Sequence, residues 1–176
     1  MNLKLKRTPG IYLVGFMGSG KSTVGRSLAH HLGWSFFDID AEIERAESTT
    51  IAEIFAARGE AGFRRIEAEM VVQHVRSIER GRPAVVALGG GAFANPATRQ
   101  LLSDNGVTVW LDCPFDTVAR RVANDASRPL ARDPEQFQAL YIARRESYGL
   151  ADVRIPIAEE EPEAVVEMLL AHPMLR

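Results

Sequence analysis

The chain has 176 residues, of which 46% are hydrophobic and 25% are charged, and its formal net charge is −2. This length suffices for one well-buried domain over residues 1–176 and is too short for two typical domains. The charge balance gives no indication of a nucleic-acid-binding face or of a surface for anionic membranes, and no apolar run approaches transmembrane length.

The first predicted elements enclose a glycine-rich loop. Residues 11–14 are a short apolar β-type run, and residues 21–32 follow a helical pattern. Between them, Gly15-Phe16-Met17-Gly18-Ser19-Gly20-Lys21-Ser22 fits the P-loop pattern G-x-x-x-x-G-K-[ST]. In such a loop, backbone N–H groups and the helix dipole bind a polyphosphate, the lysine reaches the β- and γ-phosphates, and the serine ligates Mg²⁺. The alternative, a chance glycine turn, is disfavoured by the flanking strand and helix.

A pair of carboxylates follows the second predicted strand, at residues 35–37. Asp38 and Asp40 are two residues apart, so both side chains face the same way if the extended conformation continues. Beside a P-loop, one carboxylate can hold Mg²⁺ through water while the other faces an acceptor hydroxyl. The simpler interpretation is an N-cap and a first-turn acid for the helix predicted at 41–46.

Two predicted helices follow, at about 50–57 and 60–80. The second begins at Gly59-Glu60-Ala61-Gly62-Phe63-Arg64, which looks like a helix entry carrying an aromatic ring and a guanidinium group. Arginine is the side chain suited to bidentate capture of a carboxylate. From these residues alone, however, a solvated arginine on a helix face is the preferred interpretation of Arg64.

Three consecutive glycines, Gly89, Gly90 and Gly91, follow the third predicted strand at 84–88. Consecutive glycines reduce stability through backbone entropy, which makes sense where the backbone must approach a ligand closely. The alternative interpretation is that the glycines only form a wide turn.

The second half of the chain continues the alternation of strands and helices. Strands are predicted at 107–111 and 154–157, and helices at about 96–103, 115–123, 134–148 and 162–171. The polar segment 124–132 carries Arg128 directly before Pro129. We interpret this segment as a mobile lid whose Arg128 meets the phosphates on closure, with an ordinary surface loop as the alternative.

The alternation of apolar strands with helices predicts an α/β fold with three layers, αβα, around a central parallel sheet of about five strands. Ligands of such sheets bind beyond the carboxyl ends of the strands. The P-loop, the Asp38/Asp40 pair and the glycine triplet follow the first three strands in turn, so we expect all of them at one edge. The sequence therefore predicts a single active site there.

Together, these motifs resemble the shikimate kinase family. The P-loop, Asp38-x-Asp40, Gly-Glu-x-x-Phe63-Arg64, the glycine triplet and Arg128-Pro129-Leu130 occur in the family's order and at compatible spacings, over about residues 11–157. The resemblance implies a P-loop fold like that of nucleoside monophosphate kinases, with a mobile lid. It also implies transfer of the γ-phosphoryl group of ATP, with Mg²⁺, to the 3-hydroxyl of shikimate in the aromatic amino-acid pathway.

The resemblance implies a role for each matching residue. Lys21 and Arg128 would stabilise the transferring phosphoryl group, and Asp40 would bind and orient, or deprotonate, the attacking hydroxyl. Ser22 and Asp38 would hold Mg²⁺, Asp38 through water. The nucleotide would be bound by P-loop residues and two arginines: Gly18, Ser19, Gly20, Lys21, Ser22, Thr23, Arg121 and Arg128. Shikimate would be bound by Asp40, Phe55, Phe63, Arg64, Glu67, Gly89, Gly90, Gly91 and Arg144.

Two positions depart from the family pattern. Arg144 precedes Tyr148 by the family spacing of four residues, but the usual Pro-Leu before the tyrosine is missing and Arg145 is adjacent. Arg144 is therefore the predicted second carboxylate ligand, and Arg145 is the alternative. The loop expected near adenine reads Glu159-Glu160-Glu161-Pro162 where a basic residue is often found, so we expect weaker nucleotide binding or a base resting on Arg121 and backbone alone.

Two other functions fit parts of the pattern. The first is another P-loop small-molecule kinase, such as a gluconate or nucleoside kinase, although an acceptor without an acid would not need two converging arginines. The second is a non-catalytic ligand-sensing domain, which could have lost any of the catalytic residues retained here. Cys113 is the single cysteine and is predicted to be a buried thiol near a strand end. We expect a cytoplasmic monomer that binds shikimate and ATP, without nucleic-acid or membrane partners.

Overall fold

The computed structural model describes residues 10–123, 125, 133–158 and 161–175. The strands are β1 (Gly10–Val14), β2 (Ser35–Asp38), β3 (Ala84–Ala87), β4 (Val107–Asp112) and β5 (Val153–Pro156). The helices are α1 (Lys21–Leu32), α2 (Ile39–Glu47), α3 (Ile51–Glu79), α4 (Pro96–Asp104), α5 (Phe115–Val122), α6 (Pro134–Tyr148) and α7 (Pro162–Ala171). Within these ranges, no helix combines the length and the apolar character that crossing a bilayer requires. Arg128 and all of the predicted lid except Asp125 lie outside the described residues.

The five strands form one parallel sheet in the order β2-β3-β1-β4-β5. In the register of the sheet, Tyr12 of β1 is paired with Val86 of β3 on one side and Thr108 of β4 on the other. Because all strands run in the same direction, their carboxyl ends meet at one edge, and the loop after the central strand β1 lies between the ends of β3 and β4.

Side chains alternate between two apolar cores, one on each face of the sheet. Ile11 and Leu13 pack into one core with residues of α1 and α7, whereas Tyr12 and Val14 pack into the other with residues of α3, α4 and α6. This arrangement confirms the predicted three-layer αβα fold. Cys113, directly after β4, is 3% exposed, which confirms the predicted buried thiol.

The two helices predicted at about 50–57 and 60–80 form one element, α3, and its backbone is broken at a glycine. Thr50 and Glu53 form a capping box at its start, with the Thr50 hydroxyl accepting from the Glu53 N–H and the Glu53 carboxylate accepting from the Thr50 N–H. Gly59 has φ 69° and ψ −179°, a conformation that glycine adopts far more readily than residues with a Cβ. The break therefore changes the direction of the chain just before Phe63 and Arg64.

Candidate active site

The loop between β1 and α1 lines a cavity of about 510 Å³ at the carboxyl edge of the sheet. Among the described residues, no side chain caps the N-terminus of α1, and its first turn contains no acid. The Lys21 ammonium group donates to the carbonyl oxygens of Gly15 (2.8 Å) and Phe16 (3.1 Å), so it lies over the loop. A helix N-terminus and a lysine at one cavity wall are suited to binding a polyphosphate. The predicted nucleotide residues of the loop all line this cavity: Gly18, Ser19, Gly20, Lys21, Ser22 and Thr23.

A hydrogen bond links the first turn of α1 to the end of β2. The Ser22 hydroxyl donates to Asp38 Oδ2, while Asp38 Oδ1 accepts from the Ala41 N–H at 3.3 Å and caps α2. The capping and ligand-binding interpretations of Asp38 are therefore compatible. A hydroxyl and a carboxylate side by side beside a phosphate-binding loop are the hard oxygen ligands that Mg²⁺ prefers, so these residues fit that ion.

The expectation that the extended conformation continues from Asp38 to Asp40 is wrong. The strand ends at Asp38 and α2 begins at Ile39, whose side chain is fully buried, so Asp40 lies in the first turn of a helix. The physical reason is the cap, because the Asp38 carboxylate satisfies an N–H of the new helix. Both carboxylates nevertheless line the same cavity.

The half-buried Asp40 carboxylate lies against the glycine triplet, near the buried acid Glu67. A Cβ at Gly89 would lie 2.7 Å from Asp40 Oδ1 and 2.7 Å from Glu67 Oε2, so a side chain there would overlap both carboxylates. Burial, followed by the charges of Asp38 and Glu67, raises the pKa of Asp40 to about 6, against the opposing charge of Lys21. A carboxyl group that titrates near neutral pH is suited to exchanging a proton with a hydroxyl.

In the protein without nucleotide or metal, we expect the Asp40 carboxyl group to titrate near pH 6. Carboxyl ¹³C NMR measures this midpoint directly. Asp38→Asn removes a neighbouring like charge and should shift the midpoint to lower pH, whereas Asp104→Asn, at an exposed position, should leave it unchanged. A wild-type midpoint at the ordinary aspartate value of 3.8 would contradict this environment.

Two guanidinium groups meet beside the glycine triplet. Arg144 Nη1 donates to Gly90 O at 3.2 Å, and a Cβ at Gly91 would overlap the guanidinium groups of both Arg64 and Arg144. Arg64 Nη1 is held by Glu67 Oε1 at 2.7 Å, and Glu67 is only 3% exposed. Two cations converging on one point favour an anion there, and the planar fork of arginine matches a carboxylate.

Arg145 is directed away from this point. Its two terminal nitrogens donate to the two carboxylate oxygens of Asp112, at 2.5 and 3.2 Å, and its guanidinium carbon lies 4.8 Å from the centre of the Trp110 ring. Of the two adjacent arginines, the geometry therefore brings Arg144 and not Arg145 to the glycine triplet.

The predicted aromatic residues stack on each other. The ring centres of Phe55 and Phe63 are 4.7 Å apart, and Phe63 is 4% exposed within the core. The Arg64 guanidinium carbon lies 5.3 Å from the Phe63 ring centre, so Phe63 supports Arg64 from the core side. Phe55, Phe63 and Arg64 do not line the cavity. Gly90 and Asp40 do line it, and at the glycine triplet they adjoin the Arg64–Arg144 pair.

The cavity lining also includes Arg121 of α5 and apolar residues that follow β5. Arg121 Nη1 donates to Gly18 O at 3.0 Å, as expected for a residue beside the nucleotide. Apolar lining comes from Ile157, Pro162 and Val165, which follow β5. The sequence predicts the loop at 159–162, which includes Pro162, near adenine. It does not single out the flanking Ile157 and Val165, which lie beyond the end of β5, where ligands of parallel sheets bind. Glu159 and Glu160 lie outside the described residues.

The comparisons with known proteins agree with one another. A sequence model of shikimate kinases matches residues 17–172. A shikimate kinase from Persephonella marina is 41% identical over 161 residues, which cover 91% of this chain and 96% of that protein. A structure of a shikimate kinase from Acinetobacter baumannii in complex with shikimate superposes with a TM-score of 0.85 at 36% identity, over 92% of this chain and 90% of that one. A gluconokinase from Sinorhizobium meliloti, at 14% identity and a TM-score of 0.54, shares the fold alone.

Proposed function

The chain belongs to the shikimate kinase family, and on that basis we propose that it transfers the γ-phosphoryl group of MgATP to the 3-hydroxyl of shikimate, giving shikimate 3-phosphate and ADP. The observation that supports this reaction most strongly is the meeting of two unlike sites at one edge of the sheet. A phosphate-binding loop with Lys21 lies on one side of Asp40, and the Arg64–Arg144 pair lies on the other.

The protein's contribution to such a transfer is positioning and charge stabilisation. Lys21 binds the transferring phosphoryl group and stabilises the charge that develops on it. Ser22 and, through water, Asp38 would hold one Mg²⁺, which neutralises charge on the phosphates. Arg121 and the apolar lining at Ile157 and Pro162 would hold the adenine base.

On the acceptor side, the shikimate carboxylate lies between Arg64 and Arg144, and a backbone N–H of the glycine triplet binds the ligand. Asp40 accepts a hydrogen bond from the 3-hydroxyl of shikimate. This hydrogen bond directs the hydroxyl oxygen at the γ-phosphorus. The raised pKa of Asp40 allows this carboxyl group to take the proton as the new O–P bond forms.

An ADP-release assay with a panel of acceptors tests the proposed function. With shikimate, quinate, gluconate and nucleoside monophosphates offered separately, we expect kcat/KM to be highest for shikimate by at least about 100-fold, because burial of mispaired polar groups penalises the wrong acceptor. A higher kcat/KM for gluconate or for a nucleotide would overturn the proposal.

Arg64→Lys is expected to raise KM for shikimate by about tenfold or more while changing KM for ATP less than twofold. Lysine keeps the charge but loses the bidentate fork and the hydrogen bond to Glu67. The adjacent Arg65→Lys is the matched control, since Arg65 is exposed on the same helix, and both constants should stay at wild-type values. Equal increases in both KM values for Arg64→Lys would show that Arg64 only maintains the fold.

A further inference from the structure

The end of α6 is fastened to the end of β4 by two neighbouring contacts, which we call the α6 clasp. Arg145 donates to both carboxylate oxygens of Asp112, and the Tyr141 hydroxyl donates to Cys113 O at 2.7 Å. Arg145 also donates to the Tyr141 hydroxyl at 2.9 Å, so the two contacts form one connected network. Asp112 is 7% exposed, so this carboxylate depends on protein donors, Arg145 among them, for its hydrogen bonds.

Successive residues of an α-helix point about 100° apart. Fastening Arg145 to β4 therefore fixes the direction in which the preceding residue, Arg144, leaves the helix. Whereas Arg145 pairs with Asp112, Arg144 donates to a different partner, Gly90 O, at 3.2 Å. One turn further along, the Tyr148 hydroxyl donates to the same Gly90 oxygen at 2.6 Å, so α6 and the glycine triplet are also held together.

We propose that Asp112 and Arg145 are positioning residues for substrate recognition, which act by holding the end of α6 so that Arg144 faces the carboxylate of shikimate beside Gly91. This inference rests on the proposed function for the identity of the ligand. Tyr141 of the α6 clasp packs edge-on against Phe16 of the phosphate-binding loop, with ring centres 5.3 Å apart. The side-chain hydrogen bonds between Arg145 and Asp112 involve neither that loop nor Asp40, so we expect a change of Arg145 to act mainly on the acceptor side of the reaction.

A second arginine on Asp112 provides a matched control. Arg154 lies on β5 and donates from Nε to Asp112 Oδ2 at 2.8 Å, and it packs over the same Trp110 ring at 5.0 Å. Arg145 and Arg154 thus share one carboxylate and one ring, but only Arg145 belongs to the helix that carries Arg144. A role in stability alone predicts similar effects for both arginines, whereas a positioning role predicts a difference.

The test compares Arg145→Gln with Arg154→Gln, both confirmed as folded by thermal melting. Isothermal titration should show that Arg145→Gln raises Kd for shikimate about tenfold and changes Kd for an ATP analogue less than twofold, because small displacements of a binding group have large effects. Arg154→Gln should leave both Kd values within twofold of wild type. Equal losses in the two variants, or no loss in Arg145→Gln, would refute the proposal.

A double-mutant cycle shows whether the effect passes through Arg144. In an Arg144→Ala background, adding Arg145→Gln should cause no further loss of shikimate affinity, since the side chain being positioned is gone. A further tenfold loss would mean that Arg145 acts independently of Arg144. If Arg145→Gln fails to fold, Arg145→Lys provides the same comparison, because it keeps the charge and loses the fork.

A ligand-free readout separates this inference from the proposed function. The Arg144 Nε–H signal in the NMR spectrum, assigned by its loss in Arg144→Ala, should shift in Arg145→Gln and stay in place in Arg154→Gln. Failure of the wild-type protein to bind shikimate would refute the proposed function and leave this shift as the test of the α6 clasp. An unmoved Arg144 signal in a protein that binds shikimate would refute the α6 clasp alone.

Discussion

Lys21→Ala is expected to lower kcat by about 100-fold or more while the protein remains folded. The Lys21 ammonium group lies over the phosphate-binding loop and contacts its carbonyl oxygens, so in the complex it is placed to meet the charge that develops on the transferred group. Loss of one preorganised charge contact to a transition state has an effect of this size. Steady-state kinetics with saturating shikimate and ATP measure it.

Arg26→Ala is the control for Lys21→Ala. Arg26 is an exposed cation on the same helix, α1, and its guanidinium carbon lies 5.5 Å from the Phe36 ring centre, away from the cavity. This variant should retain wild-type kcat, and thermal melting should show both variants folded. A Lys21→Ala enzyme with near-wild-type kcat would remove the phosphoryl-transfer role from the P-loop lysine.

Asp40→Asn is expected to be less active and more stable at the same time. The amide cannot accept the proton of the 3-hydroxyl, so kcat should fall by about 100-fold or more. Because the folded-state pKa of Asp40 is about 6 rather than 3.8, the ionised carboxylate destabilises the folded protein above pH 6. A shift of about 2 pKa units corresponds to about 3 kcal/mol at most, and therefore to an increase in Tm of at most about 6–12 °C at pH 8 for a chain of this length.

The pH dependence tests the electrostatic origin of that stabilisation. Below the unfolded-state pKa both states of the wild-type protein bind the proton, so the difference in Tm between Asp40→Asn and wild type should shrink as the pH falls from 8 towards 4.

Asp38→Asn is the paired variant for activity. Raising the Mg²⁺ concentration should partly restore kcat in Asp38→Asn and not in Asp40→Asn. Rescue of Asp40→Asn alone would mean that the two roles are exchanged.

The fold and the meeting point of the motifs could be predicted because each depends on local patterns. Apolar runs alternating with helical periodicity predict a parallel sheet, and a parallel sheet brings all carboxyl strand ends to one edge. These patterns predict that Lys21, Asp38, Asp40 and Gly90 meet at this edge, and all four line one cavity. The gap predicted between the helices at about 50–57 and 60–80 coincides with Gly59, where the backbone of α3 is non-helical.

The remaining features depend on contacts between residues far apart in the chain. Sequence spacing left Arg144 and Arg145 as alternatives, and only the pairing of Arg145 with Asp112, 33 residues away, separates them. The Tyr148 hydroxyl bond to Gly90 spans 58 residues and has no local signal either. The prediction that Asp38–Asp40 is extended is wrong for a different reason. The same three residues are equally consistent with a continuing strand and with a strand end followed by a capped helix.

The most direct test of the central claim is to identify the phosphorylated product when acceptors compete. The enzyme is incubated with MgATP and equal concentrations of shikimate and gluconate, and the mixture is followed by ³¹P NMR with correlation to ¹H. We predict one new phosphomonoester signal, coupled to the proton on carbon 3 of shikimate, that grows in step with ADP. A signal coupled to a gluconate proton, or ADP accompanied only by inorganic phosphate, would contradict the account.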